Sequence, residues 1–363
     1  MKKVSVFVKG DRNSTAYYRI YQYLDKIEGI DLCYHIMYPG FVQKYFMPVG
    51  HRNILIKQFV YLVSFLRCFF CLFTHIFRTP DLIVVHKRIL SRFTPYIFFL
   101  MLSFFKKKNK TRLIWDFDDD LVEGNEMTAC NFEKMSSLAD VIVVTHDYLK
   151  SKIDLKNQHK TVILPTTDGD LYSPQNFPSI TKERLDTLKD RVILIWVATS
   201  ANIRNLLPFI PAIDQAASII HSKDNRDLIL RVICDRPVNV PTKFLKIENI
   251  KWSRQGAIDN MKSSHIGIMP LLETEYNKGK GGFKLVQYIS SGLPCVGSNV
   301  GFNSKVIDSQ CGILVDKQEK WVSAIVEVAD IRRWTTLSDN AIKKYETYFP
   351  YKNNLEFWKK ILT

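Results

Sequence analysis

The chain reads as an α/β protein of two Rossmann-like, doubly wound domains facing across a cleft. Three observations predict this. Short apolar runs alternate with helix-like segments from the first residues to the last. The length of 363 residues suits two domains of ordinary size, and a hydrophobic content of 46% suffices for two cores. The stretch Lys278 to Ile307 reads as a glycine-rich loop, a helix, a tight turn, a short buried strand, a second loop and a second helix. The first domain is expected over 1–174 and the second over 190–344. A polar linker is expected at 175–189, and a last helix, about 345–363, should pack back on the first domain.

Val4 to Val8 forms the opening strand, and Lys9 to Thr15 the loop after it. The next helix carries Tyr18, Ile20, Tyr21 and Leu24 on its periodic face. Arg19 has two readings there, a solvated helix residue or a functional cation. Residues 54–77 are apolar almost all round, interrupted by Lys57, Arg67 and His75. A second apolar run, Phe93 to Phe105, ends in Lys106-Lys107-Lys108-Asn109-Lys110. Neither run spans a bilayer comfortably. Both can be buried helices, or they can lay the domain on an anionic membrane surface. Cys68 and Cys71 have redox-motif spacing, but inside an apolar helix they read as packing.

Asp81 to His86 is a strand whose end presents His86, followed by Lys87 and Arg88. Arg112 to Trp115 is the next strand, and it runs into Asp116-Phe117-Asp118-Asp119-Asp120. Four carboxylates in five residues repel one another and need compensation. A bound Mg²⁺ or Mn²⁺, a solvated turn with a helix N-cap, and an active-site wall are the three readings. Strands at 139–145 and 161–165 complete the domain.

Arg191 to Val197 opens the second domain. A small-residue loop, Ala198 to Asn202, leads into a helix from Ile203 that carries Arg204. Strands follow at 227–234, 250–252 and 266–271, then the organising loop. In that loop Gly279, Gly281 and Gly282 let the backbone approach a ligand closely. Lys278, Lys280 and Lys284 add positive charge, and the helix from Phe283 points its N-terminus at the loop. Together these features suit a diphosphate.

This stretch resembles the nucleotide-sugar signature of GT-B glycosyltransferases, specifically those like glycosyltransferase family 4. Gly292-Leu293-Pro294-Cys295-Val296 and Gly301-Phe302-Asn303 carry the likeness. The resemblance implies a GT-B fold and retaining transfer of a sugar from a nucleotide-sugar to a glycan or lipid-linked acceptor. It implies that Ser200 and Asn202 grip the donor diphosphate, and that Arg204 and Lys280 stabilise it as it leaves. Gly279, Gly281, Gly282, Phe283, Lys284 and Gln287 would complete the donor site. Trp115 to Asp119 resembles a Tyr-Asp-x-His-Asp strand end, which puts Asp118 at a catalytic-site position. Ser14, Tyr18 and Arg19 resemble a Ser-x-x-x-Tyr-Arg pattern on the acceptor side, where His86 is placed too. The family's Glu-x7-Glu pair falls on Gly279 and Gln287, a departure that affects contacts to the sugar. No metal cofactor is expected to be required. A nucleotide-sugar epimerase and a non-catalytic nucleotide-binding scaffold are the alternatives.

A net charge of +15 favours anionic partners: nucleotide phosphates, acidic membrane surfaces or nucleic acid. No zinc-finger, homeodomain or RNP-type motif supports nucleic acid. Seven scattered cysteines suit a reducing cytosol. Met1-Lys2-Lys3 leads straight into a strand, so no secretory signal is read. The expected location is cytoplasmic, peripheral on the inner face of the cell membrane, in polysaccharide synthesis.

Overall fold

The computed structural model describes residues 1–12, 15–38, 42, 45 and 53–363, so Ser14 lies outside the described residues. The chain forms two compact units, Met1–Thr166 with Lys352–Thr363, and Thr167–Tyr351. Each is built on a six-stranded sheet in which every pairing is parallel.

In unit one the strands are β1 (Lys2–Val8), β2 (Ile30–Ile36), β3 (Leu82–His86), β4 (Arg112–Phe117), β5 (Val141–Val144) and β6 (Thr161–Ile163). They lie in the order β2-β1-β3-β4-β5-β6. Strands covered on both faces read as unbroken apolar runs, which is why β3 and β4 were legible. The edge strand β2 was not foreseen. Its sequence, IDLCYHI, is only partly buried and mixes polar with apolar residues. The longer helices of this unit are α1 (Ile54–Thr74), α2 (Tyr96–Asn109) and α3 (Ala129–Leu138). Cys68 and Leu72 of α1, and Phe98, Phe99, Leu102 and Phe105 of α2, join one core cluster with Ile83, Val85 and Trp115 of the sheet. Cys68 is a packing residue. Its Sγ meets the Ile89 carbonyl at 3.3 Å, and burial pushes its thiol up to about 12.

The helix expected after β1 begins as a π-helical turn, Tyr17–Tyr21. This turn aims Arg19 inward, and the residue is 1% exposed. The solvated reading of Arg19 is therefore replaced by a buried one.

Unit two holds β7 (Arg191–Val197), β8 (Asp227–Cys234), β9 (Lys246–Lys251), β10 (Ile266–Met269), β11 (Cys295–Ser298) and β12 (Gly312–Val315). Their order, β12-β11-β10-β7-β8-β9, is the Rossmann order, reversing direction between β7 and β10. Side chains alternate across β7. Val192, Leu194 and Trp196 enter one core cluster, and Ile195 and Val197 the cluster on the opposite face.

The polar stretch expected as a linker at 175–189 instead forms a helix, α4 (Phe177–Leu188), within unit two. The remaining longer helices are α5 (Ile210–Asp224), α6 (Arg254–Lys262), α7 (Phe283–Ser290), α8 (Lys320–Val328), α9 (Ile331–Tyr348) and α10 (Tyr351–Leu362). From Lys352 onward, α10 belongs to unit one. There the Asn354 side chain donates to the Pro165 carbonyl at 2.7 Å.

Arg184 explains why α4 docks. It is buried, and its guanidinium donates at 2.8 Å to the carbonyls of Met261, Lys262 and Ser291. The first two close the C-terminus of α6, and the third follows the last residue of α7. Such carbonyls have no partner within their own helix and carry the negative end of its dipole. Arg184→Ala would remove the side-chain donor from all three, and among the described residues Met261 alone would keep a backbone contact, from the Ser264 amide. Urea denaturation is expected to show a loss of about 2–4 kcal/mol.

Candidate active site

Strand-order reversal separates the loops after β7 and β10 and opens a crevice at their carboxyl ends. The loop after β7 forms a 3-10 turn, Ser200–Asn202, then a short helix, Ile203–Leu206. The loop after β10 forms the short helix Glu275–Lys278, capped by the Thr274 side chain. Polar contacts centred on Asn205 and Asn277 join the two loops. Asn277 Nδ2 donates to Asn205 Oδ1 at 2.9 Å and to the Leu272 carbonyl at 2.8 Å.

These contacts bring two cations to one ring. The Arg204 guanidinium lies 6.0 Å from the centre of Tyr276, and Lys280 Nζ lies 4.7 Å from it. Two like charges hold near each other at the cost of repulsion, partly offset by the ring's quadrupole. Arg204 is exposed and Lys280 half-buried. The two residues assigned to the leaving diphosphate thus occupy one place, and Tyr276 was not anticipated there.

The other two lysines of the loop go elsewhere. Lys278 pairs with Glu275 at 2.8 Å. Lys284 donates to Gln287 Oε1 at 2.8 Å and lies 5.0 Å from the Phe283 ring. Gln287, expected to meet the donor, is buried and donates to Asp168 Oδ2 at 2.7 Å. Burial pulls the Lys284 ammonium down to about 8, with Asp168 acting against it. Burial raises the Asp168 carboxyl above the usual range, although the Gln287 hydrogen bond opposes this.

Gly279 ends the Glu275 turn, with its amide directed at the carbonyls of Glu275 and Tyr276. Gly281 is buried beside Gly282, and Gly282 is the N-cap of α7 at φ +59°. Gly301 has φ +57°, and a Cβ there would stand 2.5 Å from the Lys278 carbonyl. Only glycine fits the close approach of these two loops.

Ser200 departs from expectation. Its amide and hydroxyl donate to the two oxygens of Asp235 at 2.6 and 2.7 Å. Burial pushes the Asp235 carboxyl up, but the Ser200 hydrogen bonds outweigh this and hold it low. A carboxylate therefore occupies the Ser200 amide and hydroxyl at this turn. Asn202 bonds within its own turn, to Thr199 Oγ1 at 3.1 Å.

In unit one, the register pairs His86 of β3 with Asp116 of β4. His86 Nδ1–H donates to Asp116 Oδ2 at 2.8 Å. Arg19 donates through Nε to Oδ1 of the same carboxylate at 3.1 Å and also pairs through Nη2. Burial would raise the Asp116 carboxyl, but Arg19 and His86 hold it below the usual range. His86 Nε2 is buried with no hydrogen-bond partner among the described residues. Lys87 adopts φ +60° and sends Nζ to Asp118 at 2.8 Å and Asp119 at 2.7 Å. Burial acts to raise the Asp118 carboxyl, yet Lys87 holds it low. Asp120 instead accepts from the amides of Val122 and Glu123. The four carboxylates are thus compensated at three places, Asp116 by Arg19 and His86, Asp118 and Asp119 by Lys87, and Asp120 by backbone amides. Tyr18 is half-buried on the π-helical turn, its ring centre 5.4 Å from that of Tyr17.

Two wholly parallel Rossmann-like sheets, with these helices, define the two-domain α/β fold of GT-B glycosyltransferases. Residues 191–330 match the family model described as "Glycosyl transferases group 1". Among solved structures, the chain is similar to Anabaena HepE in complex with UDP and glucose, at 12% identity and TM-score 0.65. That match covers 100% of this chain and 99% of that one. It is similar to a glycosyltransferase of Rickettsia africae at 13% identity and TM-score 0.66, covering 99% and 97%. It also resembles sucrose-phosphate synthase of Thermosynechococcus elongatus at 12% identity and TM-score 0.64, covering 99% and 98%. At such identities the likeness is one of fold. No curated protein matches the chain in sequence.

Two expectations follow for stability. Arg19→Met would strand the Asp116 charge in the interior, and a loss of about 3–5 kcal/mol is expected by urea denaturation at neutral pH. The pair's contribution should fade as pH falls below the unfolded aspartate value of about 3.9. Lys284 gives a slope of the same sign in a higher pH window, because its folded value of about 8 also lies below the unfolded one. Between about 8 and 10.4 the unfolded chain binds the extra proton, so stability rises with pH. Lys284→Met should flatten that rise, on the order of 1–2 kcal/mol, in denaturation curves compared across the range.

Proposed function

We propose that the protein is a glycosyltransferase that moves a sugar from a nucleoside diphosphate sugar to a glycan or lipid-linked acceptor. Retention at the anomeric carbon and a role in cell-surface polysaccharide synthesis belong to the same reading. The observation that carries it is the convergence of Arg204 and Lys280 on Tyr276 at the strand-order reversal. This site lies inside the segment that matches the group 1 glycosyl transferases. Anabaena HepE was solved with UDP and glucose, and an Escherichia coli neighbour with UDP-2-fluoro glucose. UDP-sugars are accordingly the first donors to test.

The chemistry asks for stabilisation of charge on the departing diphosphate. The bond from the anomeric carbon to the diphosphate oxygen breaks, and its electron pair stays on that oxygen. A new bond forms from the acceptor oxygen to the same carbon, and the acceptor's proton passes to the departing oxygen. Arg204 offers a planar fork to phosphate oxygens, and Lys280 a point charge. No protein nucleophile is required, and these two cations serve in place of a resident metal. In unit one, His86 is assigned to the acceptor, positioned by the Asp116–Arg19 pair. Its unpartnered Nε2 is the atom left for that contact. Tyr18 and Asp118 are assigned to hydroxyls of the acceptor or sugar.

A thermal-shift panel of UDP, GDP and their sugars, with and without Mg²⁺, tests donor binding, since a ligand of the folded state raises its stability. Release of UDP from a UDP-sugar tests turnover. Arg204→Ala should lower kcat by roughly 10²- to 10³-fold, with an unchanged melting temperature. Equal turnover would overturn the cation assignment. Nucleotide binding without turnover of any donor would identify a binding scaffold, a reading motivated by glycine at position 279 of the donor loop.

A further inference from the structure

Helix α1 carries two apolar stripes, back to back. Val60, Ser64, Cys68 and Leu72 are buried. Leu55, Phe59, Leu62, Leu66, Phe70 and Phe73 are 42–70% exposed. At about 100° per residue these six fall within an arc of about 80°, centred opposite the buried seam. Lys57, Arg67 and His75 lie outside that arc. A helix on the surface of a water-soluble domain ordinarily turns charge outward, and this one turns it aside.

Helix α2 continues the surface. Phe93 in the preceding loop, then Ile97, Leu100 and Phe104, form a second exposed stripe spaced three or four residues apart. The stripe runs into Lys107 and Lys108, and Lys108 Nζ lies 5.3 Å from the Phe104 ring. Cys68 and Leu72 of α1 and Phe98, Phe99, Leu102 and Phe105 of α2 seat in one core cluster on one face of the unit-one sheet, while Val60 joins a smaller cluster with Met37 and Tyr38. Their outer stripes therefore look out on the same side. Contiguous apolar surface of this kind marks an interaction site.

We propose that the α1–α2 face docks on an anionic lipid bilayer, with both helices lying in the plane of the interface. Charge selects this occupant. Helices α1 and α2 carry Lys57, Arg67, Lys106, Lys107 and Lys108 and no acidic residue, in a chain of net charge +15. A second copy would set this cationic surface against itself, whereas acidic headgroups complement it. The helices lie on the surface rather than crossing the bilayer. Although 21 residues of α1 make about 31 Å, its buried seam holds it to the sheet. Phenylalanines at the acyl boundary beside lysines at the headgroups are the pattern of an interfacial helix.

Flotation of the full chain tests this, using vesicles of phosphatidylcholine alone or mixed with phosphatidylglycerol. The mixed vesicles should bind at least tenfold more protein, and added salt should reduce the difference. The double variant Leu62→Ser, Phe70→Ser should bind at least tenfold less to the mixed vesicles while melting as the parent does. Lys107→Glu with Lys108→Glu should weaken the preference for phosphatidylglycerol. Binding by the serine variant equal to the parent, or no binding to either vesicle, would overturn the proposal. A lipid-free dimer that the serine variant dissolves, without vesicle binding, would assign the face to a second copy and overturn it too. The assay needs neither donor nor acceptor, so its failure leaves the proposed reaction standing.

Discussion

Parallel strands cannot be joined by a tight turn, and most of this molecule follows from that constraint. Each β-strand must hand the chain to a crossover that returns it to the start of the next strand. Crossovers cover both faces of each sheet, which is why the central strands are apolar on both sides. The constraint also gathers the strand-ending loops at the carboxyl edge. Where the order reverses, between β7 and β10, two such loops diverge from adjacent strands. Arg204 and Tyr276, far apart in sequence, meet there.

The polar groups obey a second rule, that buried charge must be compensated. Asp116 is wholly buried and holds two partners, Arg19 and His86. Asp118 and Asp119 share Lys87, whose backbone sits in the left-handed region. A non-glycine residue in that region costs energy, and such costs cluster where a structure holds functional groups in place. Arg184 applies the same rule to helix ends, answering three carbonyls with one guanidinium. At the Tyr276 ring the exposed Arg204 is the cation proposed to meet an anionic ligand.

The surface of unit one completes the division of labour between the units. Unit two carries the loops that suit a nucleoside diphosphate. Unit one carries the histidine–aspartate pair and the apolar face of α1 and α2. On the proposed reading of a lipid-linked acceptor, the unit to which acceptor contacts are assigned is the one that would sit at the bilayer. The two proposals are independent in their tests and coherent in their chemistry.

The architecture was legible in the sequence wherever burial was total. Most strands, the glycine-rich loop, the start of α7 at Phe283 and the turn after Gly292 all follow from local rules of period, capping and backbone freedom. Local rules failed at β2, a half-exposed edge, and at α4, whose polar surface hid one buried arginine. They failed for Arg19, because its burial rests on a carboxylate 97 residues away. Lys280 and Arg204 were named from the sequence, but their meeting at Tyr276 was not. Neither were the Asn205–Asn277 contact nor the capture of Ser200 by Asp235. The apolar helices were plain in composition, yet their outward stripes were not, because hydropathy reports that a residue is apolar and never which side is covered. Sequence alone determined the succession of elements, since local propensity and pattern act over a few residues. Only the tertiary structure decided which charges pair, which ligand groups stay open and which apolar face meets solvent, because those depend on contacts that chain distance does not encode.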